Sequence, residues 1–227
     1  MTTQEPILEV HDLSFTYSQG ERALDALSFS VQTGECLGIV GPNGAGKTTL
    51  FLCLSGVLPR YQGQIRVDDL NPRKSSERAK LPSKLAIVFQ NADDQIFNAT
   101  VFDDVAFGPL NQGLPEDEVR ERVEEALQRV DLPQHGERVP FHLSGGEKRR
   151  VAIAGVLAMR PEILLFDEPS VHLDPRSRRG LIELIQSLKM TRVIASHDLE
   201  MNVETCERSL ILDQGRLIQE GVTKELL

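Results

Sequence analysis

The sequence predicts an α/β protein with a parallel central sheet, antiparallel strands at its N-terminus and a helical insertion. A glycine-rich loop at residues 41–48 separates an apolar run at 36–40 from a helical stretch that opens at Thr49. A second apolar run, at residues 163–166, is typical of a parallel strand that is buried on both faces. Residues 7–33 alternate apolar and polar side chains, which indicates antiparallel strands.

The composition fits a single globular domain. The chain has 227 residues, of which 40% are hydrophobic, and a formal net charge of −9. This length supports one good core, and the acidic balance argues against a nucleic-acid surface, which needs a basic face. Cys36 and Cys53 fall on core patterns and Cys206 completes no paired framework with them, so we expect reduced thiols.

The chain has no sign of a membrane span of its own. No apolar stretch approaches the roughly 18 residues of a transmembrane helix, and the N-terminus has no signal-peptide pattern. We therefore expect a protein that is cytoplasmic or is attached to a cytoplasmic membrane face through a partner.

The N-terminal strands are predicted to form a hairpin around a turn at residues 18–21. Their apolar residues form two sets, each on one face: Leu13, Phe15 and Tyr17, then Leu27, Phe29 and Val31. A return strand is predicted at residues 64–67.

Residues Gly41 to Thr48 form a complete phosphate-binding loop of the pattern Gly-x-x-x-x-Gly-Lys-Thr. Its glycines allow tight turns that direct backbone N–H groups at phosphate oxygens, beside the positive end of the following helix. Lys47 supplies charge for the β- and γ-phosphates, and Thr48 supplies a hydroxyl ligand for Mg²⁺. The predicted phosphate-binding set is Gly41, Pro42, Asn43, Gly44, Ala45, Gly46, Lys47, Thr48 and Thr49. The guanine-reading Asn-Lys-x-Asp motif is absent from the sequence, which argues against a GTPase.

Two carboxylates follow the apolar run at residues 163–166. Asp167 and Glu168 come at the end of this strand, where α/β sheets bind their ligands. In a nucleotide site, Asp167 would hold Mg²⁺ through water and Glu168 would polarise the attacking water.

Residues 91–155 are predicted to be a helical insertion. One helix starts at Pro115, and its apolar stripe comprises Val119, Val123, Ala126, Leu127 and Val130. A second helix is predicted at residues 145–159. After it, core strands resume at Ile163, and residues 210–212 and 216–218 flank a short hairpin turn.

The segment Leu143-Ser144-Gly145-Gly146-Glu147 resembles the signature of the ATP-binding cassette (ABC) ATPases. Further motifs of that family follow in the family's order along essentially the whole chain: Tyr17 as the adenine-stacking aromatic, Gln90 as the Q-loop glutamine, residues 170–174 as the D-loop and His197 as the switch histidine. The resemblance implies the ABC ATPase fold, a single domain over residues 1–227. Its RecA-like P-loop NTPase core would carry the helical signature subdomain, about residues 91–155, as an insertion.

The resemblance also implies cofactors and roles. The chain would bind ATP and Mg²⁺. Tyr17 would stack on adenine, and Phe15 is the alternative residue for that stacking role. Gln90 would ligate Mg²⁺ beside Thr48 and Asp167, while His197 would contact the γ-phosphate and orient the water of Glu168. The signature residues that would contact ATP are Ser144, Gly145, Gly146 and Glu147. In the family they contact the ATP of a second cassette in a head-to-tail dimer. The second cassette would be either another copy of this chain or a different protein.

Two stretches stand apart from the motifs. The D-loop reads Ser-Val-His-Leu-Asp, where Val171 is bulkier than the family's usual alanine and His172 is uncommon. This departure bears on dimer geometry and not on ATP binding. The basic run Lys148-Arg149-Arg150 beside the signature is predicted to be a solvated helix face, with docking to a partner as the alternative.

Within the family the chain resembles the energy-coupling-factor group of importers, which take up vitamins and cobalt or nickel ions. The resemblance rests on residues 88–97, 105–109 and 147–154. The alternative is a soluble ABC ATPase of translation or DNA repair, a class that normally shows tandem cassettes or a long coiled-coil insertion. A non-hydrolysing regulatory cassette is disfavoured because Glu168 and His197 are both present.

The resemblance further implies a transmembrane partner subunit and a peripheral location on the cytoplasmic face of the cell membrane. The segment from Gln90 to Phe97 would dock a cytoplasmic helix of that subunit, with Asp93 or Asp94 pairing with its arginine. The alternative is a solvated acidic loop in which Ile96 and Phe97 fold back onto the helical subdomain.

Overall fold

The computed structural model describes residues 5–227 of the chain, in two compact units. The first comprises the chain up to Ile87 together with Glu162–Glu168 and Lys189–Leu227. The second comprises Val88–Pro161 and Pro169–Leu188. The insertion predicted at about residues 91–155 falls within the second unit, and its exact boundary stays a prediction.

The regular elements follow the motifs along the chain. The strands are β1 (Leu8–Thr16), β2 (Arg22–Val31), β3 (Cys36–Val40), β4 (Gln62–Val67), β5 (Leu85–Val88), β6 (Ile163–Asp167), β7 (Thr191–Ser196), β8 (Arg208–Asp213) and β9 (Arg216–Val222). The α-helices are α1 (Lys47–Leu54), α2 (Ser75–Arg78), α3 (Val101–Asn111), α4 (Glu116–Arg129), α5 (Gly145–Ala158), α6 (Pro175–Ser187), α7 (Leu199–Thr205) and α8 (Thr223–Leu226). Short 3₁₀ helices lie at Leu81–Ser83, Ala92–Asp94 and Pro140–His142.

The N-terminal strands form a three-stranded antiparallel sheet in the order β2-β1-β4. The two predicted apolar sets lie mostly in the core, since Leu13, Leu27 and Val31 are at most 2% exposed. The hairpin turn at residues 18–21 is closed by a hydrogen bond from the N–H of Tyr17 to the carbonyl of Glu21 (2.8 Å). The expectation of an antiparallel N-terminal sheet is confirmed.

The central sheet has six strands in the order β5-β6-β7-β3-β8-β9. The pairs β6–β7, β7–β3 and β3–β8 are parallel, whereas β9 returns antiparallel along β8. In this register Val40 lies opposite Ser196, and Asp167 lies opposite Ala195. The carboxyl ends of β3, β6 and β7 therefore meet at one edge of the sheet, the usual ligand edge of an α/β fold.

The final hairpin is longer than the sequence predicts. Strand β9 pairs with β8 over its whole length, from Asp213 opposite Arg216 to Arg208 opposite Val222. The sequence does not indicate this extension because Gln219 and Glu220 are polar. Polar residues are tolerated there since β9 is an edge strand whose side chains are mostly exposed.

The helices of the second unit bury the faces that periodicity predicts. Helix α4 follows Pro115 at its N-cap, and its predicted apolar stripe is buried throughout. Helix α5 is buried nearly all round, with Val151, Ala152, Ile153 and Ala154 in succession at most 4% exposed. A helix with no solvent face has little room for the solvated basic run predicted near its start.

All three cysteines are free and buried, as expected of reduced core thiols. Cys36 and Cys206 lie in contact, with their Sγ atoms 3.5 Å apart. Within the described part of the chain, no helix is both long and apolar enough to cross a membrane.

Candidate active site

The predicted site residues fall into two groups, one in each unit. We call Tyr17, residues 41–49, Asp167, Glu168 and His197 the nucleotide end, which belongs to the first unit. We call Gln90 and residues 143–147 the signature end, which belongs to the second.

The phosphate loop follows β3 and turns directly into α1. Gly46 caps the helix in the left-handed region (φ 100°), and Gly44 is also left-handed (φ 82°). A Cβ atom at Gly46 would lie 2.5 Å from the carbonyl oxygen of Ala23, so a larger residue would force the loop away from β2. These glycines allow the loop to present backbone N–H groups at the start of α1, which is the geometry of an anion site.

Lys47 is the cation of this site and is only 6% exposed. Its Nζ donates to the carbonyl oxygens of Gly41 (2.6 Å) and Pro42 (3.1 Å) and lies 3.0 Å from Oε1 of Glu168. The ammonium group is therefore held inside the loop that is predicted to cradle the phosphates.

Asp167 ends β6 and is 2% exposed. Burial raises the pKa of its carboxyl group, and a hydrogen bond from the Thr48 hydroxyl partly opposes that rise. Its Oδ1 accepts no hydrogen bond from any described residue. A buried carboxylate oxygen without a donor is suited to accept a hydrogen bond from a water of a hydrated cation.

Glu168 is held in place by the adjacent strand β7. Its N–H donates to the carbonyl of Ala195 (2.8 Å), and its backbone is left-handed (φ 44°), which is strained for a residue with a side chain. Oε2 accepts from the N–H of His197 (3.2 Å) and the hydroxyl of Ser196 (3.3 Å), and Nδ1 of His197 lies 2.8 Å away.

The two oxygens of Glu168 thus have different surroundings. Oε2 is anchored by several donors, whereas Oε1 has the Lys47 ammonium as its ion-pair partner, 3.0 Å away. The side chain is 6% exposed and the partnering imidazole is 54% exposed, so His197 connects a buried carboxylate to the surface. A carboxylate fixed beside the phosphate loop can accept a proton from water, and an adjacent imidazole can orient it.

Tyr17 has the exposed ring that an adenine platform requires, whereas its rival Phe15 does not. Tyr17 is 37% exposed and Phe15 is 7% exposed. The two rings meet edge to face with centroids 4.9 Å apart, and the Tyr17 hydroxyl lies 3.0 Å from the hydroxyl of Thr49 in α1. This arrangement supports Tyr17 over Phe15 as the residue that stacks on a base.

The nucleotide end fits ATP with Mg²⁺. It combines backbone amides at a helix start, a buried ammonium, a threonine hydroxyl and a buried carboxylate oxygen of Asp167 that lacks a donor. Thr48 and Asp167 would hold the cation, which when bound would neutralise charge on the phosphates.

The signature end starts α5 with a reciprocal cap. The Ser144 hydroxyl accepts from the N–H of Glu147 (3.3 Å), while the Glu147 carboxylate accepts from the N–H of Ser144 (2.8 Å). Hydrogen bonds from Ser144 hold the pKa of Glu147 below its usual value. Ser144 and Gly145 are exposed, so the first turn of α5 presents its amides at the surface of the second unit.

The predicted solvated face at residues 148–150 is wrong for Arg149. Its side chain is 5% exposed and donates to the carbonyl oxygens of Phe89 (2.5 Å) and Gln90. Sequence reasoning missed this residue as a functional candidate. The signal that could have found it is the apolar stretch that follows, because a helix that is apolar on every face is buried on every face.

The neighbouring basic residues are paired and only partly exposed. Lys148 binds Asp93 (2.7 Å) with a side chain that is 20% exposed, and Arg150 binds Asp131 (3.0 Å). The alternative that Ile96 and Phe97 fold back onto the helical subdomain stays open, since Phe97 is 63% exposed but packs on a residue of α3. Its ring meets Phe107 edge to face, 5.0 Å between centroids. With Leu110, which is 53% exposed, we call these residues the aromatic patch.

Comparison with known proteins gives a consistent assignment. The model of the ABC transporter family matches residues 24–171. The energy-coupling factor transporter ATP-binding protein EcfA of Methanothermobacter thermautotrophicus is 48% identical over 224 residues, covering 97% of this chain and 72% of that protein. EcfA of Methanocaldococcus jannaschii is 42% identical over 225 residues, covering 97% of this chain and 80% of that protein.

Solved structures agree with these relatives. CbiO1 of Clostridium perfringens, described as part of the ABC transporter complex CbiONQ, superposes with a TM-score of 0.88 at 38% identity, covering 98% of this chain and 90% of that one. The ATP-binding cassette MJ0796, in a dimeric post-hydrolysis state with ADP and Pi, gives a TM-score of 0.85 at 26% identity, covering 95% of this chain and 98% of that one. The predicted ABC ATPase fold is confirmed, and the chain belongs to the ABC transporter family as an ATP-binding cassette, an ATPase that is coupled to transport.

Proposed function

We propose that this chain is the ATP-hydrolysing motor subunit of an ABC membrane importer of the energy-coupling-factor type, with a vitamin or cobalt or nickel ions as cargo. The observation that carries the motor assignment is Glu168, a buried carboxylate with one oxygen anchored beside His197 and the other paired with Lys47 of the phosphate loop. The importer type is supported by the 48% identity to EcfA of Methanothermobacter thermautotrophicus and by the likeness to CbiO1.

In this proposal the chain's own residues divide the work of hydrolysis. The loop amides and Lys47 bind the phosphates, and Tyr17 stacks on adenine. Glu168 accepts the proton of the attacking water through Oε1, and His197 keeps the carboxylate oriented through Oε2. Thr48 and Asp167 would hold Mg²⁺, and Gln90 is the further ligand that the family resemblance implies.

The signature end would complete the site of a second cassette in a head-to-tail dimer. Ser144, Gly145 and Gly146 would direct amides and a hydroxyl at the γ-phosphate bound by the partner, and Glu147 would fix that geometry through the cap. The dimeric state of MJ0796 supports such a pairing. A second copy of this chain or a different cassette could supply the other half.

The segment from Gln90 to Phe97 would dock a cytoplasmic helix of the transmembrane subunit, which would hold the chain on the cytoplasmic face of the cell membrane. Support comes from exposure: the ring of Phe97 is exposed, and so are Asp93 and Asp94 shortly before it in the sequence, which gives one segment an apolar anchor and acidic groups. The ion pair between Asp93 and Lys148 leaves Asp93 63% exposed, so its carboxylate remains accessible to a partner's arginine.

The test is the Glu168→Gln variant, because an amide cannot take the proton of water. ATP turnover should fall by about 100-fold or more, while ATP binding persists and an ATP-bound dimer accumulates. The matched control is Glu162→Gln, just before the other end of β6, where the carboxylate pairs with Lys84 at the surface. Turnover at the parental rate in Glu168→Gln would show that the water-activating residue is misassigned.

The importer assignment needs a second measurement. Transmembrane subunits, themselves untagged, should copurify with the chain from cell membranes. In vesicles that hold this complex, ATP-driven uptake should fail with Glu168→Gln and persist with Glu162→Gln. Recovery of ribosomes or DNA-repair proteins in their place would favour a soluble ABC ATPase.

A further inference from the structure

Arg149 is a buried guanidinium group without a carboxylate partner. It is 5% exposed, and burial lowers its pKa. Among residues 5–227 no carboxylate forms an ion pair with it, and its Nε has no hydrogen-bond partner. A buried charge that lacks a counterion is costly for folding, so its retention points to a specific task.

The partners of Arg149 indicate what that task is. One terminal nitrogen donates to the carbonyl oxygen of Phe89 (2.5 Å) and the other donates to the carbonyl oxygen of Gln90. The N–H of Phe89 is also engaged, because it donates to the side-chain oxygen of Gln95 (2.8 Å). The main chain from Phe89 to Gln90 is therefore fixed on both sides within the second unit.

Arg149 connects this fixed segment to the signature end. It stands on α5 just after the first turn, whose amides follow Ser144. Arg149 thus links the main chain of Gln90, whose side chain is exposed, directly to the helix that presents the amides of Gly145 and Gly146.

We propose that Arg149 is a positioning residue for ATP hydrolysis, which locks the main chain of Gln90 to the signature helix, so that Gln90 is in place for the nucleotide of its own cassette when the signature is in place for the nucleotide of the partner. This rests on the proposed function, since it takes Gln90 to act on Mg²⁺ and the signature to act on the γ-phosphate. The fork of the guanidinium is required, because two successive carbonyl oxygens are bound by two nitrogens in one plane. A lysine offers a single strongly hydrated ammonium and should not replace it.

The test compares Arg149→Met and Arg149→Lys with the parent in the full chain. Both variants should lose about 10-fold or more in kcat, because small misplacements of a positioned group have effects of that size, while KM for ATP changes less than about twofold. The assay is run below the melting temperature of each variant. Wild-type kcat in Arg149→Met would overturn the proposal, and restoration by Arg149→Lys would overturn the requirement for the fork.

The matched control is Arg150→Met. Arg150 is the next residue of α5 and also donates to a main-chain carbonyl oxygen, that of Val130 (2.9 Å), but on a different segment. It should lower the melting temperature without changing kcat. An equal loss of kcat in Arg150→Met would mean that any disturbance of α5 slows turnover, and the specific role would be lost.

A double-mutant cycle tests whether Arg149 acts through Gln90. If it does, kcat of the Gln90→Ala/Arg149→Met double variant equals that of Gln90→Ala within about twofold. Multiplied losses would overturn the proposal. Failure of the proposed function is a separate outcome, because it would appear as wild-type turnover that does not depend on Glu168.

Discussion

The nucleotide end and the signature end satisfy their polar groups in opposite ways. Lys47, Asp167 and Glu168 are buried charges, an oxygen of Asp167 has no donor, and Glu168 adds a left-handed backbone. At the signature end, Ser144 and Glu147 cap each other completely at an unstrained, exposed helix start.

This difference indicates that the nucleotide end is built for the chemical reaction and the signature end for contact with a ligand. Buried charges and backbone strain reduce the stability of the free chain, and they persist where the groups must be ready to react. A satisfied helix start is inexpensive to maintain and keeps its amides at fixed positions for a ligand that arrives from outside. We therefore expect substitutions at the first end to change chemistry and stability, and substitutions at the second to change assembly.

The largest effect is expected from Ser144→Arg, which should abolish the ATP-bound dimer. A normal dimer would contradict the assignment of the signature end to assembly. The bulk and charge of arginine would fill the position at which the partner's γ-phosphate is proposed to bind, while Lys47 remains able to bind ATP. On the Glu168→Gln background, size-exclusion chromatography with ATP should show only monomer.

The control for Ser144→Arg is Thr100→Arg, which removes a similar cap. Thr100 starts α3 and accepts from the N–H of Asp103 (3.1 Å), so its loss should also cost about 1 kcal/mol of stability. Its ATP-bound dimer should form normally. An ATP-bound dimer of Ser144→Arg would refute the head-to-tail arrangement.

A smaller effect, confined to assembly, is expected from reversing the charges near the aromatic patch. Asp93→Lys with Asp94→Lys should reduce recovery of the transmembrane subunit in pull-downs from solubilised membranes, while basal ATPase activity survives. Lys148→Ala separates the docking effect from loss of the ion pair with Asp93. Glu116→Lys with Asp117→Lys, on exposed positions of α4, controls for net charge. Undiminished recovery would mean that docking lies elsewhere.

The smallest effect should be a gain in stability from Asp167→Asn. Burial raises the pKa of Asp167, so the ionised carboxylate destabilises the folded chain, and stability falls as pH rises through that pKa. The amide removes this penalty, so the melting temperature should rise at neutral pH, by about 2–4 °C for each kcal/mol gained. The gain should shrink in acid, where Asp167 is protonated. Asp213→Asn, at the exposed end of β8, is the control, and a pH-independent gain would contradict the burial explanation.

The sequence predicts residues that belong to a local motif better than it predicts contacts between distant segments. Lys47 and Glu168 belong to local patterns in which a strand, a turn and a helix fix the position of one side chain, so a short motif suffices. The pairing of Glu168 with His197 required the register of β6 and β7, which periodicity alone does not give. The parallel character of β6 nevertheless followed from its apolar run at residues 163–166.

The failures concern side chains whose surroundings come from distant segments. Arginine is a residue type that usually lies at the surface. Arg149 is buried because α5 packs against the chain after β5. The pairing of Lys148 with Asp93 has the same origin. Strand β9 was underestimated because an edge strand needs no apolar alternation on its exposed side.

The buried cysteines offer a practical handle on this molecule. Thiol reagents attack the thiolate, and burial raises the pKa of Cys53 to about 12, while Cys36 and Cys206 lie against each other out of solvent. A single cysteine placed on the surface should therefore take up a maleimide dye selectively in the otherwise native sequence. The dye would then report on its own surroundings during turnover through its fluorescence, with no prior removal of native thiols.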